Sequence, residues 1–490
     1  MNYQLLLGAF LLQIFKRMFQ KEDVSFYKDK DSHLRQVLTT KDFLALGVGT
    51  IVSAAIFTLP GVIAAKYAGP AVAISFLLAA VVAGLVAFAY AEMSSALPFA
   101  GSAYSWMNVI FGEFCGWVVG WALLAEYFIA VAFVASGLSA NFRGLIEPLG
   151  LRLPAALSNP FGTNGGVVDL IALIVLILVS LLISRGVSQA ARIQKILVVL
   201  KVLAIILFVL VGLTAIHPSN YVPFIPAPKM NADGTHFGGW LGIYAGVSSI
   251  FLSYIGFDSI AANAAEAKEP SKTMPRGILG SLIIAVILFV SVSLVLVGMF
   301  KYTNYAGNAE PVGWALRHSG HPIVASVVSA IAVLGMFTAV IGMTLAGSRL
   351  LYSFGRDGML PSFLGKLNDQ KLPNNALIVM TVVSIILGAF FPFETLSQLV
   401  SAGTLIAFMF VSIGIYALRR REGRDLPVPG FKMPLYPVLP ILAFVGSLLV
   451  FLGLDIEAKT YSGYWFILGL VIYFAYGIRH SALAKKNNEK

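Results

Sequence analysis

Two apolar stretches of this chain are long enough to belong to bilayer-crossing helices, and each contains residues that interrupt a helix near its middle. Residues 43–57 include two glycines, a threonine and a serine, and residues 250–259 include two serines and a glycine. Unwound backbone at membrane depth is tolerated only where protein or a water-filled cavity satisfies its polar groups. Two such interruptions at matching positions in two halves of a chain point to a solute-binding site between them.

The composition supports a membrane location. The chain has 490 residues, of which 58% are hydrophobic and 12% charged, whereas a soluble domain has about 25% charged residues. We therefore predict an integral membrane protein whose partner is the lipid bilayer. The single cysteine, Cys115, cannot form an internal disulfide, and we expect it to pack as an apolar residue.

Runs of about 20 apolar residues predict twelve spans. They lie at 43–66, 72–97, 105–140, 167–184, 190–216, 239–264, 277–300, 322–354, 375–392, 395–418, 436–454 and 461–478. The third and eighth spans are longer than a crossing requires, which implies tilt or extension beyond the bilayer. The apolar segment 5–15 is followed by its charges rather than preceded by them, which favours an interfacial helix over a signal peptide or a further span.

The distribution of basic residues predicts the orientation. With the N-terminus inside, the inner segments contain 26 Lys and Arg residues and the outer segments contain 7, with Lys201 left inside a span. This asymmetry follows the positive-inside rule, so both termini are predicted to be cytoplasmic. The net charge of +11 therefore reports topology and does not indicate a nucleic-acid partner. The inner set includes Lys16, Arg17, Lys21, Arg185, Arg192, Lys195, Lys268, Lys272, Arg276, Arg356, Arg419, Arg420, Arg421 and Lys486.

The spans divide into two groups of five. The polar insertion 217–238 separates them, and an odd number of spans per group requires any repeat to be inverted in the membrane. We predict an all-α fold of about twelve transmembrane helices, with a five-plus-five inverted repeat in which spans 1 and 6 are broken. The predicted units are 1–42 (cytoplasmic), 43–216 and 239–418 (the two repeats), 436–478 (two additional helices) and 479–490 (cytoplasmic tail).

Lys201 lies within the fifth span, with about ten apolar residues after it. Charges inside spans are costly and are functional candidates by default. Burial disfavours the ammonium form, so this lysine could gain and lose a proton as a cavity opens to either side, or replace a bound sodium ion. The alternative is a snorkelling lysine whose ammonium reaches the interface, since Lys195 is only six residues away.

Several acidic residues lie within or beside spans. Glu126 stands in apolar sequence, where an unpaired carboxylate would be strongly destabilised. It is therefore either a structural pair or protonated acid, or a contact to a cationic substrate group. Asp258 follows the second interruption, and Glu92 at the inner end of span 2 fits a hinge or inner-gate contact. Glu266 and Glu269 fit salt bridges of a loop or gate.

The two interruptions together suit a zwitterionic solute. The first exposes amide N–H groups at the positive end of a helix dipole, which can receive a carboxylate, and the second exposes carbonyl groups that can accept from an ammonium. Close helix packing is the alternative for one small-residue segment, but two at matched positions favour a site. The candidate binding residues are Thr50, Ile51, Ser53, Ala54, Ala55, Ile56, Glu126, Leu252, Ser253, Tyr254, Ile255 and Phe257, and the candidate gating residues are Phe251, Glu92 and Asp258.

An enzyme is not supported by the sequence. The spans contain no metal-ligand cluster or paired acids at helical spacing, and the six histidines lie in loops or at span ends. We expect no metal and no cofactor. A channel remains an alternative, to be recognised by a current well above the turnover of a carrier.

A set of short motifs runs in order along residues 40–365. Residues 49–57, with Leu59-Pro60-Gly61, resemble the first-helix motif of the amino acid–polyamine–organocation transporters. Residues 254–258, 265–270 and 274–277 are similar to the cationic amino acid transporter branch of that superfamily. Further matches are Tyr90-Ala91-Glu92, Gly101-Ser102-Ala103-Tyr104, Glu126-Tyr127 and Arg356-Asp357-Gly358-Met359-Leu360-Pro361.

This resemblance implies the inverted five-plus-five fold, alternating access, and a substrate held between spans 1 and 6. It places Lys201 where sodium-independent members have a lysine. We therefore predict a sodium-independent amino acid transporter of the plasma (inner) membrane, for cationic amino acids, working by proton-linked symport or exchange with Lys201 in proton coupling. A polyamine or amine exchanger, or a neutral amino acid exchanger, is the alternative.

The chain departs from the family pattern at two places. The usual Gly-x-Gly of the first helix is Ser53-Ala54-Ala55, so two β-carbons crowd the approach to the backbone while Ser53 adds a hydroxyl. The usual aromatic gate of span 6 aligns with Leu252, beside Phe251. The sequence leaves open the exact substrate, the choice between symport and exchange, and the oligomeric state.

Overall fold

We describe the fold from a computed structural model of the chain, for residues 15–31, 36–99, 101–185, 190–368 and 372–484. Most of the predicted interfacial helix and the end of the cytoplasmic tail, with Lys486, lie outside the described residues. The helices are α1 (Val24–Asp31), α2 (Thr40–Ile51), α3 (Ala55–Ile63), α4 (Val72–Ala96), α5 (Ser102–Ile110), α6 (Glu113–Ile146), α7 (Leu170–Ser184), α8 (Ala190–Leu213), α9 (Gly239–Ile250), α10 (Phe257–Ala262), α11 (Pro270–Met299), α12 (Pro311–His318), α13 (Pro322–Arg356), α14 (Asn374–Phe390), α15 (Phe393–Arg421), α16 (Val438–Leu452), α17 (Ile456–Ile472) and α18 (Ile478–His480).

These helices account for all the predicted spans. Among the described residues, eight helical stretches are long and apolar enough to cross a membrane, and α7, α14 and α16 are shorter apolar helices. One of the eight joins α3 to α4 through a π-helical turn (Ala64–Ala68) and a 3₁₀ turn (Gly69–Ala71). The helix α2 then supplies the other half of the first span. The prediction of a multi-span all-α membrane protein is confirmed.

Both predicted interruptions are present. The first span is split into α2, which ends at Ile51, and α3, which begins at Ala55. The sixth span is split into α9, a short 3₁₀ turn over Phe251–Tyr254, and α10, which begins at Phe257. Long helices were expected at spans 3 and 8, and α6 and α13 have 34 and 35 residues.

The predicted start of the third span is wrong. Residues 105–110 belong to the separate helix α5, and α6 begins only at Glu113. Gly112 between them has φ of 109°, a conformation that favours glycine, and a β-carbon there would lie 2.6 Å from the carbonyl carbon of Phe19. The N-terminal segment therefore packs against this corner and fixes the break.

The helix α6 is the centre of the bundle. It is buried along most of its length and packs against α13, α14 and α15. Small residues allow these close contacts; a β-carbon on Gly347 of α13, for example, would lie 2.9 Å from the β-carbon of Tyr127. The half-helix α2 packs against α11 and α10. The strands β1 (Lys229–Met230) and β2 (His236–Phe237) form an antiparallel hairpin in the long loop between the two groups of spans.

Candidate functional site

The break in the first span leaves backbone donors facing the middle of the bundle. Residues 52–54 are not helical, and the first amides of a helix have no intrahelical partner. Within the part of the chain that the structure describes, the amides of Ala54, Ala55 and Ile56 donate no hydrogen bond. A carboxylate placed there would meet three free donors at the positive end of α3.

The break in the sixth span depends on Gly256. This residue has φ of 135°, which a side chain would strain, and its β-carbon would lie 3.0 Å from the amide nitrogen of Ile51. The Gly256 N–H donates to the Asp258 carboxylate at 3.0 Å. Its carbonyl accepts from the Thr50 hydroxyl at 3.2 Å, so the two broken spans are joined directly at their interruptions.

A cavity of about 230 Å³ lies between the two interruptions. Its wall is mostly apolar, with the carboxyl groups of Glu126 and Asp258 as its acidic members. Such a concave apolar site with a few convergent polar groups is typical of small-molecule binding. The lining residues are Leu46, Thr50, Ser53, Glu126, Tyr127, Ala130, Phe133, Val134, Leu252, Ile255, Gly256, Asp258, Ser259, Ala262, Asn263, Gly342, Met343, Leu345, Ala346, Arg349 and Val400.

Glu126 and Asp258 form a pair in this wall. Their carboxyl groups are close enough to hydrogen-bond to each other, and Glu126 also accepts from the Thr404 hydroxyl at 2.6 Å. Both residues are at most 3% exposed. Two carboxylates in contact and away from water repel each other strongly, so the pair is stable when it shares a proton.

Lys201 is buried and reaches across to the first span. Its ammonium donates to the Gly49 carbonyl at 3.0 Å, in the last turn of α2. The last carbonyls of a helix lack intrahelical donors, so this contact satisfies one of them. The lysine stem lies against Gly335 of α13, where an added β-carbon would be 3.0 Å from Cδ. The snorkelling alternative is therefore wrong, because the ammonium ends in the bundle.

The cavity includes some of the predicted binding residues and not others. Thr50, Ser53, Glu126, Leu252 and Ile255 line it. The remaining candidates, Ile51, Ala54, Ala55, Ile56, Ser253, Tyr254 and Phe257, are buried but do not line it.

Two of the non-lining aromatic residues have structural contacts instead. The Tyr254 hydroxyl donates to the Phe76 carbonyl at 3.0 Å. The Phe257 ring stacks on Phe408 with centroids 5.1 Å apart. Of the two residues expected to crowd the approach to the backbone, Ser53 lines the cavity and Ala55 does not.

Sequence reasoning placed Glu126 of α6 in the site but missed the other residues of this helix that line the cavity. Tyr127, Ala130, Phe133 and Val134 line the cavity together with Glu126. They follow Glu126 at intervals that place them on one side of a helix. Helical periodicity around the acidic residue was therefore the signal that could have found them.

Two of the three gating candidates lie outside the cavity wall. Phe251 packs edge-on against Phe408, with ring centroids 6.1 Å apart. Glu92 forms an ion pair with Arg419 and accepts from the Met433 amide at 2.7 Å, so it joins α4 to the end of α15. Asp258 is the gating candidate that lines the cavity.

A stacked aromatic pair and a set of ion pairs lie at one end of the cavity. The rings of Phe133 and Phe393 stack with centroids 4.2 Å apart. Beyond them, the Lys66 ammonium lies 2.7 Å from a Glu394 carboxylate oxygen and 3.4 Å from one of Asp233. At the other end the wall continues to Asn263 and the exposed Arg349. The cavity therefore extends toward the side predicted to be cytoplasmic.

A tight contact fixes the first interruption against α6. A β-carbon on Gly137 would lie 2.7 Å from the β-carbon of Ala54. We expect Gly137→Ala to displace the interruption and weaken substrate binding, and to destabilise the fold by about 1–3 kcal/mol through overpacking. The change Ala54→Gly removes the opposing methyl group, so the double variant should recover most of both losses. Thermal unfolding and substrate-binding measurements on the four members of this double-mutant cycle test the contact; additive losses would contradict it.

The described residues contain no group of three or more His, Cys, Asp or Glu side chains arranged to hold a metal ion. The polar groups of the cavity are instead suited to a zwitterion of modest size, with free amides at one break, a carboxyl pair beside the other and apolar walls between them.

Comparison with known proteins decides the family. Residues 38–476 match the family model described as amino acid permease. The chain belongs to the amino acid permease family. It is 64% identical to the branched-chain amino acid permease BcaP of Lactococcus lactis subsp. cremoris (strain MG1363), over 94% of this chain and 98% of that protein. The resemblance inferred from the motifs is confirmed.

Some of the less similar relatives have other names. The chain is 34% identical to the methylthioribose transporter of Bacillus subtilis (strain 168), over 94% of this chain and 97% of that protein. It is 33% identical to cationic amino acid transporter 4, vacuolar, of Arabidopsis thaliana, over 82% of this chain and 66% of that protein. Membership of this permease family makes the chain a multi-span membrane transporter of amino acids and not an enzyme.

Proposed function

We propose that this permease carries neutral amino acids with branched aliphatic side chains across the cell membrane by alternating access. The observation that supports the proposal most strongly is the cavity between the two broken spans. Its side walls are formed by Ala130, Val134, Ile255, Met343 and Val400. An aliphatic side chain would pack against these groups without leaving a charge unpaired. The similarity to a protein named as a branched-chain permease agrees with this substrate class.

The backbone of the substrate would occupy the interruptions. Its carboxylate would accept from the amides of residues 54–56, and its ammonium would approach the carbonyl groups around residues 251–255. Ser53 would add a hydroxyl beside the carboxylate. This arrangement matches opposite ends of the amino acid to opposite partial charges of the two half-helices.

Cationic amino acids are the second candidate, and Glu126 is the observation that favours them. A carboxylate in the cavity wall could pair with a Lys or Arg side chain. However, Glu126 already accepts a hydrogen bond from Thr404 and shares the cavity wall with Asp258. A cationic substrate would need that pair to release its proton, so we place neutral substrates first.

The same carboxyl pair and Lys201 form the proposed coupling machinery. Access of water from one side would allow the Glu126–Asp258 pair to exchange its proton with that side. Lys201 holds the end of α2 through Gly49, and loss of its charge would weaken this contact and free the half-helix to move. On this basis we propose proton-linked symport without sodium, with exchange of two amino acids as a second mode of the same carrier.

We also propose an inverted-repeat topology with both termini in the cytoplasm. Residues 43–216 and 239–418 would form two inverted repeats that move relative to each other around the site, with 436–478 as additional helices. The basic clusters at one end of the bundle support a cytoplasmic location for both termini. The ion pair of Lys66 with Glu394 would then close the extracellular side.

Substrate competition tests the proposal. Purified protein in liposomes takes up radiolabelled L-isoleucine while unlabelled amino acids, polyamines and methylthioribose compete, with and without a pH gradient. We expect leucine, isoleucine and valine to compete strongly, and arginine, lysine and polyamines to compete weakly. Strong competition by arginine, or uptake of arginine without uptake of isoleucine, would favour the cationic alternative. A current far above carrier turnover would indicate a channel.

A further inference from the structure

A second cavity lies behind the substrate site, on the outer side of the bundle. It has a volume of about 130 Å³ and is enclosed by α6, α14, α15 and α17. We refer to it as the α14–α17 groove. Its lining residues are Ala125, Phe128, Ile129, Val383, Leu387, Phe391, Leu399, Gly403, Tyr461, Ser462, Trp465 and Phe466.

The groove is lined mostly by apolar groups, and the indole N–H of Trp465 in its wall is already paired. The indole N–H of Trp465 donates to the Trp121 carbonyl at 3.0 Å, and that of Trp121 donates to the Trp465 carbonyl at 2.8 Å. The two rings stack with centroids 4.5 Å apart. An apolar cavity of this size stays free of water and accepts small hydrocarbon groups.

The groove borders the surface that faces lipid. On α14, Val382 and Ile386 are each 50% exposed, and on α17 Tyr464 is 65% exposed. These residues are neighbours of the lining residues Val383, Leu387 and Trp465 on the same helices. The helices α14 and α17 are not among the described helix pairs with extensive contact, and both contribute to the lining of the groove. Hydrocarbon chains are therefore the groups most available to fill the groove.

We propose that the α14–α17 groove holds one acyl chain of a membrane phospholipid. The hydrophobic effect contributes little, because lipid tails are as apolar as the groove. Close van der Waals contact with otherwise unfilled walls provides the attraction, and the high concentration of lipid provides the occupancy. Tyr461 and Phe391, in edge-to-face contact 5.4 Å apart, lie at the end of the groove near the helix termini, where a lipid ester group would meet the amphipathic tyrosine.

An acyl chain bound in the groove would lie directly behind the substrate cavity. Its floor includes Ala125 and Gly403, whose next neighbours in sequence, Glu126 and Thr404, hydrogen-bond to each other beside the substrate cavity. A chain in the groove would support the contact between α6 and α15 from behind. The proposal does not depend on which amino acid is carried.

Photolabelling with a phospholipid tests the proposal. The full chain is reconstituted in a phosphatidylcholine–phosphatidylglycerol bilayer with a small fraction of phosphatidylcholine that carries a diazirine on one acyl chain. After illumination and digestion, mass spectrometry locates the labels. We expect labels on Leu399 and Ser462, which are 5% and 8% exposed and can be reached only by a chain inside the groove. Labels confined to exposed residues such as Ile386 and Tyr464 would overturn the proposal.

Matched variants separate the groove from general lipid contact. Val383→Phe fills the groove, whereas Val382→Phe adds the same group on the lipid-facing side of the same helix. Labelling of Leu399 and Ser462 should be lost in the first and kept in the second. Should Val383→Phe fail to fold, Ser462→Leu fills the groove from α17, with loss of labelling of Leu399 as its readout.

A diazirine-bearing sterol is the comparison probe. If it labels the buried residues and the phospholipid does not, the acyl-chain assignment is wrong. Equal loss of labelling in Val383→Phe and Val382→Phe would also contradict the proposal. Because labelling does not require transport, its failure can be distinguished from failure of the proposed transport activity.

Discussion

Replacing Lys201 with alanine is expected to reduce isoleucine uptake by about tenfold or more, because a buried carbonyl that loses its donor costs ~1–3 kcal/mol. The carbonyl in question is that of Gly49, at the end of the half-helix α2. Without the ammonium, the end of α2 loses its hydrogen bond to α8, and the state that closes around the substrate is less favoured. Initial uptake rates in liposomes over a range of pH measure the effect.

Two further variants isolate the role of the Lys201 charge. Lys201→Met keeps an unbranched stem against Gly335 and removes only the donor, so it should resemble alanine in uptake and lose the pH dependence. Lys195→Ala removes an exposed ion pair with Asp42 near the start of the same helix, which is worth about 0–1 kcal/mol, and should have little effect. Normal, pH-dependent uptake by the methionine variant would show that Lys201 has only a packing role.

Replacing Glu126 with glutamine is expected to abolish accumulation driven by a pH gradient while exchange of internal for external isoleucine continues. The amide can still hydrogen-bond to Thr404 and Asp258, so the site keeps its shape, but it no longer exchanges a proton. Asp258→Asn should act in the same direction. It should have a larger effect on binding, because Asp258 also accepts the Gly256 N–H at the break. Accumulation with an imposed gradient and counterflow without one measure the two activities separately.

A buried acid elsewhere on the same helix provides the control. Glu113 begins α6, is 1% exposed, and accepts from Ser481 and Tyr473 far from the cavity wall. Glu113→Gln should leave the ratio of gradient-driven uptake to exchange unchanged even if it lowers stability. Retention of gradient-driven accumulation by both Glu126→Gln and Asp258→Asn would place proton coupling elsewhere.

The broken spans could be predicted from sequence because glycine and hydroxyl residues interrupt two apolar runs at matched positions, a pattern that helix packing alone does not require. The start of α6 could not, since Gly112 stands between Phe111 and Glu113 in a turn whose conformation is set by contact with Phe19. An apolar pattern continues across that turn, and hydropathy alone does not separate α5 from α6.

The sequence predicted the position of the site better than it predicted which residues line it. A contiguous motif such as residues 252–258 alternates between cavity and core once it is wound into a 3₁₀ turn, so Leu252 and Ile255 line the cavity while Tyr254 packs against Phe76. Which way each side chain points depends on the local backbone, which the motif does not specify. The Lys201 ammonium likewise donates to a backbone carbonyl, that of Gly49. Patterns of side chains in a sequence do not reveal partners of this kind.

A structure of the purified protein with L-isoleucine bound, determined by electron cryomicroscopy in a lipid bilayer, is the most direct test of this account. We predict density for one amino acid between the two interruptions, with its carboxylate within hydrogen-bonding distance of the amides of residues 54–56 and its side chain against Val134, Ile255 and Val400. Continuous helices through residues 52–54 and 251–256, or an amino acid bound away from both, would contradict it.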